Sequence, residues 1–247
     1  MSVRTDVRDT SALTSREWEE IWWLTHAFYD TDRDYAEERL RAHRRMALFR
    51  STVDGALVGM ASLDVYPVTF TGRRLAVIYT SHVLLQERYR GHNLVQRLGL
   101  RTFLHTRIRY PIRSIYWFFD TFSYKSYLLL PRNFRDFWPR HDRATPEWEQ
   151  TLMNHLAGET YGAAWDARRG VVMRSGRKRL RPEVAPVDDK LAHAPDVAFF
   201  TRVNPEHAEG DMLVCLCPLS VRNWLSVGAR SLERAVNRRS TPSRPSG

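Results

Sequence analysis

The segment Tyr79-Thr-Ser-His-Val-Leu-Leu-Gln-Glu-Arg-Tyr-Arg-Gly-His-Asn-Leu-Val-Gln-Arg-Leu98 joins a β-branched strand, an Arg/Gly turn and a helix without a spacer. The first N–H groups of a helix lack intrahelical partners, and its aligned peptide dipoles make that end positive. An anion placed there is therefore stabilised by backbone alone. Arg88, Arg90 and His92 add donors beside Gly91 and Asn93, and Leu94 and Val95 open the helix. The chemistry this suits is phosphate capture. The strand before the turn carries Tyr79, Ser81 and His82. Histidine has an ordinary pKa suited to a general base near neutral pH. In a regular strand Tyr79 and Ser81 face one side, while Thr80 and His82 face the other.

The elements that must position these residues can be read from caps, turns and periodicity. Ser15 is placed to cap a helix carrying Trp18, Ile21, Trp22 and Leu24, with Glu17, Glu19 and Glu20 in its first turns, where negative charge suits the dipole. Asp32 or Asp34 caps a second helix reaching about His43. Met46 to Val53 and Ala56 to Val65, joined by Asp54-Gly55, read as a β-hairpin. A turn at Thr71-Gly72 leads into a strand from Leu75 to Leu85. A helix from about His92 to Arg109, an apolar strand Ser114 to Phe119 and a short helical run from Tyr124 to Leu130 follow.

The segment from Arg88 to Val95 resembles the acyl-donor motif of the GCN5-related N-acetyltransferase (GNAT) superfamily: Gln or Arg, two residues, Gly, one residue, then Gly or Ala. Two registers are open, Arg88-x-x-Gly91-x-Asn93 and Arg90-x-x-Asn93-x-Val95. The order of elements from about residue 15 to residue 138 also resembles that family. The resemblance implies an α/β fold, a mixed and mainly antiparallel sheet flanked by helices, with a C-terminal α+β extension. It implies N-acyl transfer to an amine by direct attack on the thioester of an acyl-CoA or acyl-phosphopantetheine co-substrate. Val83, Leu84, Leu85, Arg88, Arg90, Gly91, His92, Asn93, Leu94 and Val95 would hold that donor. His82, with Ser81 beside it, would take the proton from the acceptor, and Tyr127 or Tyr124 would protonate the leaving thiolate, with Tyr127 preferred. The family's register to a later Gly-Phe instead puts Leu129 at the tyrosine position, with Asn133-Phe134 as the Gly-Phe.

Across its 247 residues the chain is 43% hydrophobic and 27% charged, a globular composition rather than a disordered one. Mean hydropathy is -0.47. No apolar run approaches the ~18 residues of a membrane span, the first residues lack a signal-peptide core, and cytoplasmic residence is the expectation. The net charge of +10 implies an anionic partner, a basic tail or both. Arg88 to Arg113 holds seven arginines and no acidic residue. That run fits the phosphates of CoA or an acidic acyl carrier protein. A carrier would also account for the missing glycines, since it presents one phosphodiester where CoA presents a pyrophosphate. Further basic clusters lie at Arg168 to Arg181 and Arg230 to Arg244.

Residues 1–140 read as the acyltransferase-like core, 141–238 as an extension packing on it and 239–247 as a flexible basic tail. Within the extension, Thr145 caps a helix with Pro146 at its first position, Val171 to Arg174 form a short strand, and residues 181–195 a surface loop. Val197 to Val203 and Met212 to Cys217 read as two further strands, and Ser220 to about Arg238 as a last helix. Cys215 and Cys217 read as reduced core thiols. A metal half-site from them would need His193 and His207, and no metal is expected. The acceptor that the resemblance implies is an amine on a small molecule or a peptide. The rival readings are a nucleic-acid-binding protein, with Arg on phosphates and aromatics on bases, and an acyltransferase relative that only binds. No Walker-type loop, His-Glu-x-x-His or Gly-x-Ser-x-Gly elbow is present.

Overall fold

The computed structural model describes residues 2–174, 176–182, 184 and 193–240. Most of the loop expected over 181–195, and residues 241–247 of the tail expected over 239–247, lie outside the described residues; residues 239 and 240 are helical instead. The centre is a meander of three long antiparallel strands, β3 (Arg45–Ser51), β4 (Leu57–Phe70) and β5 (Arg73–Leu85). Their turns fall at Asp54-Gly55 and Thr71-Gly72, where Gly55 and Gly72 take left-handed φ of 72° and 77°. After β5 the chain crosses through α3 (Leu94–Arg109) and returns as β6 (Ser114–Thr121), parallel to β5. Parallel neighbours need such a crossover, because a tight turn can only reverse the chain.

Strands from both ends of the sequence complete the sheet. β1 (Val3–Asp9) pairs with β3, and β10 (Met212–Pro218) pairs with β6 and with β8 (Val171–Val172), beyond which lies β7 (Trp165–Asp166). The order is β1-β3-β4-β5-β6-β10-β8-β7, mixed and mainly antiparallel. A separate two-stranded ribbon joins β2 (Tyr29–Thr31) to β9 (Lys178–Leu180).

Period-two alternation sends the sheet's side chains into two cores. On one face α1 (Ser15–Phe28), α2 (Arg33–Arg41) and α6 (Glu147–Tyr161) bury Ile21, Leu40 and Leu152 against Val77, Phe118 and Val214. On the other, α4 (Tyr124–Tyr127), α5 (Leu129–Asn133) and α7 (Pro195–Val203) bury Tyr127, Leu130 and Phe200 against Ile78, Phe119 and Cys215. α3 covers a third cluster over β3 and β4 through Leu94 and Leu98. α8 (Val221–Ser240) ends the described chain.

Over residues 15–138 the helices and strands expected from the sequence occur in the expected order, α1, α2, β3, β4, β5, α3, β6, α4, with β2 added after α1 and α5 after α4. Several local expectations are corrected. Thr14, not Ser15, caps α1: Glu17 N–H donates to its hydroxyl, and the Glu17 carboxylate accepts from Thr14 N–H, a reciprocal capping box. Pro146 is itself the N-cap of α6, without a side-chain cap from Thr145. Val197 to Val203 is helix α7, not a strand. Pro195 starts it, Asp196 sits in its first turn, and Val197 and Phe200, three apart, are both fully buried. β1 lacks an apolar run because it is a half-exposed edge strand, with Val3 and Val7 packing inward. Cys215 and Cys217 are buried free thiols, and no cluster of potential metal ligands occurs among the described residues. No described helix is long and apolar enough to cross a membrane.

Gly59 fixes how closely β4 approaches the end of β5. A Cβ there would lie 2.7 Å from the Leu84 carbonyl oxygen and 2.8 Å from Leu85 Cδ1. Gly59→Ala should therefore destabilise the chain by about 1–3 kcal/mol, as overpacking does. Chemical denaturation checks this, and a variant as stable as the parent would show that the strands separate freely.

Candidate functional site

β5 runs beyond its parallel partner. The last β5–β6 pair is Thr80 with Phe119, so the five residues Ser81 to Leu85 have no β6 partner on that side. β5 also bulges there. β4 pairs Ser62 with Ser81 and Met60 with Leu84, and His82 takes a left-handed φ of 51°. The bulge overturns the expected facing of His82. Its ring lies 5.5 Å from His43, whose ring is 5.3 Å from Tyr79, so His82 joins the Tyr79 and Ser81 side. Thr80 stays on the opposite side, accepting a hydrogen bond from Trp117 Nε1.

On the α1/α2/α6 side, polar groups gather around one carboxylate. Asp120, at the end of β6, accepts hydrogen bonds from Tyr79 OH at 3.0 Å, Ser81 Oγ at 3.2 Å and Tyr161 OH. Burial, and then the Asp120 charge, push the Tyr79 and Tyr161 phenols well above their ordinary range. The phenols therefore stay protonated donors. A second carboxylate, Asp64, accepts from His43 Nδ1 at 2.7 Å and from Arg44 N–H at 2.6 Å.

Burial, reinforced by the charges of Lys178 and His43, holds the His82 imidazole well below 6.5. Its buried Nδ1 has no hydrogen-bond partner. The ring is therefore neutral at pH 7, and the burial that keeps it so also makes it a weaker base than a free imidazole. Lys178 of β9 is buried beside this group, its Nζ 4.0 Å from the Tyr29 ring and 5.9 Å from the Phe122 ring. Desolvation brings its amine down to about 7 against the opposing pull of Asp120. Its backbone is pinned by Gly210, where a Cβ would come 2.1 Å from the Lys178 carbonyl oxygen at a φ of 101°.

The basic turn closes the other end. Gly91 and Asn93, the two small positions of the register from Arg88, are both left-handed, with φ of 84° and 56°. Asn and Gly are the residues that tolerate this conformation best. Asn93 is the N-cap of α3 without a side-chain cap bond, which leaves the N–H groups at Leu94 and Val95 uncapped by a side chain. Arg90 Nε donates to Leu85 O, and His92 Nδ1 lies 3.2 Å from Tyr89 O. Arg88 stacks over Tyr89. Across the gap, Lys125 Nζ donates to Val184 O, and its amine is lowered by burial and by Arg90. A groove of about 380 Å³ lined by Ser2, Val3, His92, Leu94 and Arg97 opens at the start of α3.

Val83 and Leu85 are half-buried along the unpaired end of β5, and Leu84 is buried beneath it. Tyr124 and Tyr127 are not brought to this group. They share a helix face as their spacing implies, but that face packs into the opposite core, where Tyr127 OH donates to Pro139 O and its ring meets Phe199 and Phe200. Sequence reasoning missed His43, Asp64, Tyr161 and Lys178. The last two come from the C-terminal half, where no motif marks them.

No protein-family model matches the sequence, and no curated protein matches it. Among solved structures, an acetyltransferase of Trypanosoma brucei is similar at 26% identity, covering 59% of this chain and 98% of that one, with a TM-score of 0.37. A probable N-acyltransferase of Enterococcus faecalis is similar at 11% identity over 91% of this chain and 74% of its own, with a TM-score of 0.43. A ribosomal-protein-alanine N-acetyltransferase of Brucella melitensis is similar at 20% identity over 46% of this chain and 77% of its own, with a TM-score of 0.32. All three TM-scores lie below 0.5, and the chemistry of the site is read from its own geometry.

Lys178 makes stability depend on pH. Its folded pKa of about 7 lies below the ~10.4 of an unfolded lysine, so the unfolded state binds more protons between those values and stability rises with pH across them. Lys178→Met removes a cost that is full below pH ~7 and gone above ~10.4. The variant should melt about 10 °C higher at pH 6, with the gain shrinking toward pH 10. Thermal melts across that range check it, and a pH-independent gain would show that the amine carries no charge cost.

Proposed function

We propose that this chain is an N-acyltransferase that moves an acyl group from a phosphopantetheine thioester to an amine by direct attack. The observation that carries this reading is that β5 runs on past its last β6 pair at Thr80. The edge of β5 from Ser81 onward has no β6 partner, and an amide-bearing pantetheine arm fits there between a basic turn and a buried acid–base group. Along that edge, strand N–H and C=O groups can pair with the arm's own amides. At its far end the uncapped start of α3, with Arg88, Arg90 and His92, suits the phosphate. The donor is an acyl-CoA or an acyl carrier protein. Asn93 in place of the smaller residue and the surrounding positive charge support the carrier as an alternative to CoA.

The acceptor amine, on a small molecule or a peptide, attacks the thioester carbon as His82 takes its proton. The C–S bond then breaks and the thiolate takes a proton. A phenol pushed far above 10 gives up a proton less readily than the thiol that the transfer would form, so Tyr79 and Tyr161 hold Asp120 rather than act as acids. Lys178, at about 7, is acidic enough to protonate a thiolate whose conjugate thiol lies near 8.5. In this reading it takes the role that the family pattern gives to Tyr127 or Tyr124.

Calorimetric titration with CoA, acetyl-CoA, a medium-chain acyl-CoA and a holo acyl carrier protein tests the donor. Saturable binding to at least one is expected, and the Arg90→Ala/Asn93→Ala double variant should weaken it about tenfold or more. Binding to none of them would overturn the reading. His82→Ala should lower kcat by about 100-fold while leaving donor affinity unchanged. The parent's activity should fall as pH rises through about 7, and Lys178→Met should lose that limb. Activity with the same pH profile in both proteins would remove Lys178 from the mechanism.

A further inference from the structure

Single exposed apolar residues are ordinary on a protein surface, whereas aligned rows of them mark a surface that is covered by something. Leu100, Leu104 and Ile108 recur every four residues along one face of α3, and Val221 and Leu225 do so on α8. All five are between 44% and 81% exposed. Trp224 of α8 packs on Phe103 of α3 with ring centroids 4.7 Å apart, which sets the two rows side by side. Arg97 and Arg101 alternate with the α3 row, and Arg222 follows Val221 on α8; all three are exposed. No carboxylate occurs between Arg88 and Arg113.

We propose that this α3/α8 face lies on an anionic lipid bilayer, with its aliphatic side chains in the headgroup–acyl boundary and its guanidinium groups on lipid phosphates. Amphipathic helices bind membrane surfaces through this pairing of an apolar row with flanking cations. A second copy of the chain is disfavoured as the occupant. Joining two such faces sets arginine against arginine, with no carboxylate on α3 to pair with them. A partner helix needs a groove, and the five apolar residues stand on helix ridges: neither the groove at the start of α3 nor the smaller one beside Pro139 includes any of them. Fluid lipid tails accept ridges as they stand.

Co-sedimentation of the full chain with vesicles of phosphatidylcholine, with and without phosphatidylglycerol, tests this. Binding to the anionic vesicles should be at least about tenfold tighter than to phosphatidylcholine alone and should weaken as salt rises. Leu104→Glu/Ile108→Glu should reduce it about tenfold or more without lowering the melting temperature, since both positions are exposed. Leu225→Glu provides an independent check on α8, and Arg101→Gln/Arg222→Gln should flatten the salt dependence. Absence of binding by the parent, or binding that survives all three sets of changes, would overturn the proposal. So would light scattering that shows a dimer dispersed by Leu104→Glu/Ile108→Glu in a protein that ignores vesicles, or a carrier protein competing for the same residues.

Discussion

The parallel pairing of β5 with β6 governs the molecule, because both the partition of its two cores and the opening of its site follow from where that pairing stops. Six pairs, from Leu75–Ser114 to Thr80–Phe119, lock the strands in register and send Val77 and Phe118 to one core while Ile78 and Phe119 go to the other. Beyond Thr80 the bulge at His82 gives β5 an extra residue against β4 and interrupts its regular alternation. β6 ends at Thr121, two residues past its last pair with β5, so the end of β5 outruns it, and the bulge turns a histidine toward the carboxylates.

Asp120 makes the polar group on that side tolerable inside a core. A partly buried carboxylate is costly unless its lone pairs are filled, and here three hydroxyls from β5 and α6 fill them. The Lys178 amine adds a partial counter-charge without a direct ion pair, held against aromatic faces instead. Such a site keeps its hydroxyls protonated, its imidazole neutral and its amine poised. Each of these states is set mainly by the same burial.

Much of the frame was legible in the sequence because its signals are local. Asp54-Gly55 and Thr71-Gly72 marked the meander, and the strand–turn–helix around Gly91 marked the crossover. What could not be read depends on pairings distant in sequence. The facing of His82 required the β4 register across the bulge. Tyr161 and Lys178 reach the site through α6 and through the β2–β9 ribbon, which joins residues about 150 apart. Val197 to Val203 carries strand-like residues, yet Pro195 and the buried pair Val197 and Phe200 make it a helix. β1 showed too little apolar character to be noticed because half of it faces solvent. Tyr127, which the resemblance offered as the acid, packs in the other core, with its OH on Pro139 O.

The place of β10 between β6 and β8 bears on how the chain is made. β6 carries Ile115, Tyr116, Trp117, Phe118 and Phe119, and one of its two edges is completed only by Met212–Pro218. About ninety residues separate the two strands, which at ribosomal speed is roughly 5–20 s of synthesis. Throughout that interval a nascent chain carries an aromatic strand with an unpaired edge, the kind of surface that templates aggregation. Expression of this protein should therefore respond to translation rate and to chaperones that shield extended apolar segments, more than its finished stability would suggest.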